Sequence, residues 1–144
     1  MILSTAALAL FAGASMVTAN DHHEITGPFA TPMDVTKKCL ECHEDASKQM
    51  MATSHWKWES EQVVNGKKVK RGKKNAMNNF CISINSNWPR CTSCHVSYGW
   101  KDANFDFTDE SRVDCLVCHD TTGTYKKPGA GAGMPAGYTG KAKM

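Results

Sequence analysis

Cys91-Thr92-Ser93-Cys94-His95 has the form Cys-x-x-Cys-His, and the same form recurs at Cys39-Leu40-Glu41-Cys42-His43 and at Cys115-Leu116-Val117-Cys118-His119. In such a stretch the two thiols lie about one helical turn apart and can add to the two vinyl groups of one haem. The adjacent imidazole then binds the iron as its proximal ligand. Zinc sites and disulfides also use paired cysteines, but a zinc site needs two pairs around one metal and leaves each histidine unexplained. The three copies therefore predict three covalently attached haems c, with His43, His95 and His119 on iron.

The first 19 residues are predicted to be a secretory signal peptide. Ile2 to Val17 form an apolar run without a charged side chain, and small residues up to Ala19 precede a polar Asn20. This pattern is typical of a signal peptide, although no Lys or Arg precedes the run. A transmembrane helix is less favoured because the run is short and rich in Ala, Ser and Thr. We therefore expect a periplasmic or otherwise exported protein with no membrane span after cleavage.

The remaining residues are expected to fold around their cofactors. A chain of about 125 residues cannot build a large protein-only core around three macrocycles, so the haems form much of the core. The predicted fold class is mainly α with extensive coil, a multihaem cytochrome c with short helices wrapped around haems. Residues 20–127 form the triple-haem domain. The Gly/Pro/Ala-rich residues 128–144 are predicted to be a linker or wrapping segment that leads into a further haem domain of a longer chain.

Two local elements follow from turn and cap chemistry. Thr31, Pro32 and Asp34 have the pattern of a capping box with proline at the first helical position, which predicts a helix through the first motif towards Met51. A small β-hairpin is predicted from Val63 to Val69, because its central Asn-Gly favours a type I′ turn.

Three irons also need distal ligands. Three histidines lie outside the motifs, namely His22, His23 and His55. His55 is the favoured distal ligand because it is flanked by tryptophans that can cover a porphyrin, and its alternative is a hydrogen-bonded surface histidine. One of His22 and His23 is expected on iron and the other in solvent. Met50 or Met51 are weaker candidates, since a Met at helical spacing more often packs in a core.

Other residues leave alternatives open. Cys81 is the one cysteine of seven outside the motifs, and it is either a buried inert thiol or a reactive thiol beside a haem. Six of the eight residues from Lys67 to Lys74 are basic. Such a run is a solvated loop, or it neutralises haem propionates or attracts an anionic substrate. Its lack of interleaved aromatic residues argues against nucleic acid. Only 24 residues separate Cys91 from Cys115, so the second and third haems are expected to be neighbours.

The sequence resembles the N-terminal part of the octahaem tetrathionate reductase family of multihaem c-type cytochromes. The matching stretches are Gly27-Pro28-Phe29, Lys38-Cys39-Leu40-Glu41-Cys42-His43, Thr53-Ser54-His55-Trp56, Asn79-Phe80-Cys81, Trp88-Pro89-Arg90-Cys91-Thr92-Ser93-Cys94-His95 and Val113-Asp114-Cys115-Leu116-Val117-Cys118-His119-Asp120. Members of that family carry eight haems and reduce tetrathionate, and in some cases nitrite or hydroxylamine, at a haem with a lysine as sixth ligand.

By this resemblance, Cys91, Cys94 and His95 would hold the catalytic haem, and Cys81 would lie beside it. Lys126 and Lys127 are the nearest candidates for the distal lysine, and the alternative is a lysine in the part of the family's longer chain that the resemblance does not cover. The resemblance thus implies a catalytic role in a longer protein, whereas the residues alone support a stand-alone triple-haem electron carrier between periplasmic or membrane-bound redox partners. An anionic substrate such as tetrathionate, nitrite or hydroxylamine is expected only for the reductase.

Overall fold

The computed structural model describes residues 22, 25–76 and 83–137. The predicted signal peptide, His23 and Cys81 lie outside these described residues. Five helices run in chain order, α1 (Pro32–Leu40), α2 (Ala46–Met51), α3 (Ser54–Lys57), α4 (Trp88–Cys91) and α5 (Leu116–His119). Two strands, β1 (Ser60–Val64) and β2 (Lys67–Arg71), lie between α3 and α4. No helix in these ranges has the length and hydrophobicity needed to cross a bilayer.

Short helices joined by extensive coil agree with the predicted fold class. Three single 3₁₀ turns, Lys73–Asn75, Ile84–Ser86 and Glu110–Arg112, interrupt the coil. The five helices nevertheless cover a minority of the described residues, so "mainly α" overstates their share. The packing between elements consists largely of coil segments held by side chains.

The first helix starts as predicted but ends early. The Thr31 hydroxyl accepts the Asp34 N–H at 3.3 Å, and the Asp34 carboxylate accepts the Thr31 N–H at 2.9 Å, so the capping box forms. α1 ends at Leu40, and the predicted continuous helix to Met51 is wrong. The N–H groups of Glu41 and Cys42 bond to carbonyls three residues back, which tightens the chain into a turn before α2.

The predicted hairpin is confirmed and is longer than expected. β1 and β2 pair antiparallel from Ser60 opposite Arg71 to Val64 opposite Lys67. Asn65 and Gly66 both have positive φ, 51° and 75°, as a type I′ turn requires. At the base of the hairpin a Cβ on Gly72 would lie 2.1 Å from the Trp58 carbonyl oxygen, so that position has no room for a side chain.

The core is aromatic and lies between α3 and the coil that follows α4. Its buried members are Trp56, Val96, Trp100, Phe105 and Val113. The Trp56 indole N–H also donates to the Phe107 carbonyl at 3.1 Å, which satisfies the one polar atom of that ring. Partly buried side chains close the rim, namely Met50, Met51, Trp58, Trp88 and Phe107.

Residues 128–137 pack against the rest of the fold, as a wrapping segment would and a free linker would not. Ala132 is buried, and its backbone accepts from Trp100 N at 3.0 Å and donates to the Pro89 carbonyl at 2.9 Å. Gly133 has φ +81°, and a Cβ there would lie 2.2 Å from the Ser97 carbonyl oxygen. Glycine is therefore needed here because the two backbones approach closely. From composition alone, a glycine-rich segment of this kind is expected to be flexible.

The segment before the third motif lies between the other two motif segments. Val113 forms an isolated antiparallel bridge with Ser97, and Asp114 N donates to the Val96 carbonyl at 3.1 Å. On the other side, the Thr36 hydroxyl of α1 donates to the Val113 carbonyl at 2.6 Å. Side-chain and backbone hydrogen bonds thus fix the order of the three motifs in space.

Candidate haem-binding site

The first and third motifs adopt the same turn. His43 N bonds to the Cys39 carbonyl at 3.0 Å, and His119 N bonds to the Cys115 carbonyl at 3.1 Å. The second cysteine of each motif, including Cys94 in the second, is exposed, while the first cysteine is half-buried. In each of these two motifs the exposed second thiol directly precedes an exposed imidazole, and the first thiol lies one turn before that imidazole, as attachment of a haem requires.

These two motifs open onto one cavity of about 750 Å³. His43 and His119 both line it, as do Cys39 and Cys115. Its volume lies in the range of about 300–1,000 Å³ that cofactor sites occupy. Apolar side chains complete much of the lining, namely Ile25, Val35, Leu40, Met50, Val113 and Leu116. The cavity therefore combines an apolar wall with the thiols and imidazoles of two motifs.

The first cysteines of these motifs touch each other. A side-chain hydrogen bond from the Cys115 thiol lowers the pKa of Cys39 to about 7, and the same contact raises the pKa of Cys115. The contact thus favours the thiolate, which is the nucleophilic form, on Cys39 over Cys115.

His22 lies beside the first motif. Its ring centroid is 6.2 Å from that of His43, with 41° between the ring planes, and it lines the same cavity. Two metal–nitrogen bonds of about 2 Å each, plus the distance from each ring nitrogen to its ring centre, add up to about this separation. The two imidazoles are therefore spaced as ligands on opposite sides of one iron would be.

The histidine of the second motif lies in the aromatic core. His95 is fully buried, its Nδ1 lies 2.6 Å from Ser97 Oγ, and its Nε2 lies 2.6 Å from the Trp56 carbonyl oxygen. The ring contacts Trp58 at 5.0 Å and Trp100 at 4.7 Å between centroids. Burial lowers the pKa of His95 to about 4, so the ring is neutral at pH 7, the form that binds metals.

A buried ion pair joins the second motif to the third. Lys127 Nζ lies 2.9 Å from Asp114 Oδ2 and donates to the carbonyls of His95 and Ser97 at 2.7 and 3.0 Å. Asp114 also accepts from the Tyr125 hydroxyl at 2.8 Å and from Val117 N at 3.1 Å, at the start of α5. The pair thus ties the backbone of the second motif to the first turn of the third.

A second, smaller cavity of about 380 Å³ lies between these two motifs. It is lined by Cys94 of the second motif, Leu116 and Val117 of the third, and Tyr125 and Lys127. The third motif therefore faces the first motif across the large cavity and the second across the small one.

Comparison with known proteins gives these motifs a family. The profile of the family described as cytochrome c554 and c-prime matches residues 38–128, which include all three motifs. The chain belongs to the cytochrome c554 and c-prime family. Covalently bound haem c is accordingly the cofactor of this multihaem c-type cytochrome.

A solved structure extends the comparison. The crystal structure of octaheme cytochrome c from Shewanella oneidensis matches 76% of this cytochrome with 62% identity and a TM-score of 0.71. An uncharacterized protein of Archaeoglobus fulgidus is 30% identical over an alignment of 114 positions that covers 73% of this chain. The chain spans 25% of the octahaem protein and 35% of the archaeal one. It is thus similar to about a quarter to a third of these longer proteins.

The residues of this cytochrome fit haem at the first and third motifs. Exposed second thiols, imidazoles on the cavity wall and apolar lining together match the donor set and the apolar surroundings that a haem requires. At the second motif, His95 Nε2 would have to exchange its hydrogen bond to the Trp56 carbonyl for iron. The part of the chain that the structure describes holds no group of three His, Cys, Asp or Glu side chains converging as for a single metal ion.

The remaining candidate ligands differ in where they lie. His55 is exposed on α3 and does not line the large cavity. Met50 lines that cavity, and Met51 packs on the aromatic core. Lys126 is exposed. His23 and Cys81 lie outside the described residues, so their predicted roles stay predictions.

Sequence reasoning missed the roles of Asp114 and Tyr125. Asp114 directly precedes the third motif, a position from which a carboxylate can accept the N–H at the start of the next helix. That signal was present in the sequence. The partner Lys127 was 13 residues away, and only the fold brings the two charges together.

Proposed function

We propose that this chain carries three haems, one on each Cys-x-x-Cys-His motif, and passes electrons through them as part of a periplasmic reductase of tetrathionate or a nitrogen oxyanion. The observation that supports this best is the order of the motifs. The third motif shares one cavity with the first and is hydrogen-bonded to the segment that follows the second. Three cofactors held in this order would form a short path for electrons.

The candidate iron ligands are the histidines of the three motifs and His22. His43, His95 and His119 would hold the three haem irons as proximal ligands, and His22, whose ring centroid lies 6.2 Å from that of His43, would be the further ligand of the iron that His43 holds. His55 would be distal to another iron from its exposed position on α3. Each haem supplies an iron that alternates between the ferric and ferrous states.

The protein residues hold these groups and control their surroundings. The ion pair of Lys127 and Asp114 fixes the backbone of the second motif relative to α5. The aromatic rings around His95 exclude water and keep the imidazole neutral. By the resemblance to the octahaem reductases, we infer that the reaction would take place at this second motif, with a role for Cys81.

The alternative is a stand-alone triple-haem electron carrier with no catalytic site. The observation that favours it concerns Lys127, whose ammonium group contacts three oxygens, those of Asp114, His95 and Ser97. A lysine engaged in this way is a structural cation and is not free to serve as the distal ligand of the second motif.

Tetrathionate reduction by the full-length, haem-loaded protein tests the proposal. Each tetrathionate takes up two electrons and yields two thiosulfates, so two reduced methyl viologen molecules should be reoxidised per tetrathionate. We expect turnover in the unaltered protein and a loss of about tenfold or more in Cys81→Ser, equivalent to about 1.4 kcal/mol of transition-state stabilisation. The measurement is viologen absorbance together with thiosulfate yield.

Two results would change this conclusion. Equal turnover of Cys81→Ser and the unaltered protein would remove the thiol from the mechanism. Haems that accept electrons from viologen but never return them to tetrathionate, nitrite or hydroxylamine would support the stand-alone carrier.

A further inference from the structure

The segment that contains the β1–β2 hairpin, residues 59–76, has a higher net positive charge than the complete chain. Residues 59–76 contain six basic and two acidic side chains, a net charge of +4, whereas the complete chain has a net charge of +3. Everything outside this segment therefore has a net charge of −1 before haem propionates are added. The net positive charge of the protein is therefore concentrated in residues 59–76.

Packing does not explain these residues. The side chains of Lys68 and Lys70 are 75% and 71% exposed, and Val63 near the tip is 70% exposed. Most positions of both strands are exposed on both faces of the sheet. A two-stranded hairpin of this kind gains little stability from the burial of side chains. Its basic residues are therefore not explained by a contribution to folding.

The two faces of the hairpin differ in charge compensation. On one face Lys68 pairs with Glu61 at 2.9 Å, and Lys70 lies 3.6 Å from Glu59. The pairing register places Lys67 and Arg71 together on the opposite face. Within the described ranges neither of these two makes an ion pair. That face therefore presents uncompensated positive charge.

The distance between these two charges indicates the size of the ligand that could contact both. Lys67 and Arg71 are four residues apart on one strand, which corresponds to about 13 Å. One small anion cannot contact both side chains across this distance. An acidic protein surface can meet both at once, and complementary charge of this kind raises association rates by about 10–10³-fold.

The base of the hairpin leads directly to the second motif. Lys74 N donates to the Trp58 carbonyl at 3.1 Å, and Lys73 Nζ lies 4.6 Å from the Trp58 ring centroid. The Trp58 ring in turn lies 5.0 Å from the ring of His95. The chain at the base of the hairpin is thus separated from that histidine by one aromatic ring.

We propose that the face of the β1–β2 hairpin bearing Lys67 and Arg71 is the docking surface for an acidic redox protein, which exchanges electrons at the second motif. This inference rests on the proposed electron-transfer function and adds the chemistry of the partner and its place of contact.

The test compares two double charge reversals in the haem-loaded protein. Lys67→Glu with Arg71→Glu alters the proposed surface, and Lys37→Glu with Lys101→Glu makes the same charge change at exposed lysines outside the hairpin. The probe is fully reduced flavodoxin, an acidic protein that gives one electron to a ferric haem in each encounter. Stopped-flow absorbance follows haem reduction from low ionic strength to about 0.5 M salt.

We expect the unaltered protein to show a second-order rate constant that falls at least about tenfold over this salt range. The hairpin variant should lose about tenfold at low salt and show a nearly flat salt dependence, because its steering charge is gone. The control variant should stay within about twofold of the unaltered protein. Lys67→Gln with Arg71→Gln, a milder change, should fall between the two.

Three outcomes would overturn the inference, and they are distinguishable. Equal rates for the hairpin and control variants would remove the docking surface. An equal loss with flavodoxin and with dithionite, a small anion, would show that the hairpin attracts small anions and not a protein. Haems that dithionite cannot reduce at all would contradict the proposed electron-transfer function itself.

Discussion

Replacing Lys127 with methionine is expected to lower the free energy of unfolding by about 3–5 kcal/mol, because the change leaves a buried carboxylate without its counter-charge. The Lys127 side chain is 8% exposed and the Asp114 side chain is fully buried. The ammonium also holds the carbonyls of His95 and Ser97. One substitution therefore removes three contacts between the second and third motifs.

The measurement is guanidinium denaturation of the haem-loaded protein, followed by circular dichroism. Lys126→Met is a matched control, since this neighbouring side chain is exposed, and it should change stability by less than about 0.5 kcal/mol. Adding Asp114→Asn to Lys127→Met should recover part of the loss, because no unpaired charge then remains buried. Equal stability of Lys127→Met and Lys126→Met would show that the ion pair does not hold the motifs together.

Replacing His22 with alanine is expected to convert one low-spin iron to high spin without loss of haem. The His22 and His43 rings are separated by the distance that two imidazoles on one iron would take, and both line the large cavity. Removing the distal imidazole opens one coordination position, while the thiol attachments and His43 stay in place. Electron paramagnetic resonance reports the spin state, and the protein mass reports haem content.

His23→Ala is the paired variant, since only one of the two adjacent histidines is expected on iron. It should keep the spectrum of the unaltered protein. Added imidazole should restore the low-spin signal of His22→Ala by filling the vacant position. A low-spin spectrum that survives His22→Ala but is lost in His23→Ala would assign the ligand to the other histidine.

Local chemistry made part of the fold predictable. The type I′ turn depends on Asn65 and Gly66 alone, and the capping box depends on Thr31 and Asp34 alone, so both formed as the sequence indicated. The Cys-x-x-Cys-His form likewise fixes which thiols and imidazole belong to one haem. These features are decided within a few residues of chain.

Long-range contacts decided the rest. The break of the first helix at Leu40 turns His43 and Ala46 towards the cavity that the third motif completes. The burial of residues around Ala132 depends on Pro89 and Trp100, more than 30 residues away. The inward turn of His95 depends on the carbonyl of Trp56. None of these partners is marked by spacing or composition.

The central claim is one covalent haem on each of the three motifs, and peptide mass spectrometry of the protein matured in a host with c-type haem machinery tests it most directly. We expect three distinct peptides, containing Cys39 and Cys42, Cys91 and Cys94, and Cys115 and Cys118, each heavier by one haem under denaturing conditions. The second of these is decisive, because His95 must leave its hydrogen bond to Trp56 to bind iron. A second-motif peptide with two free thiols and no haem would contradict the claim.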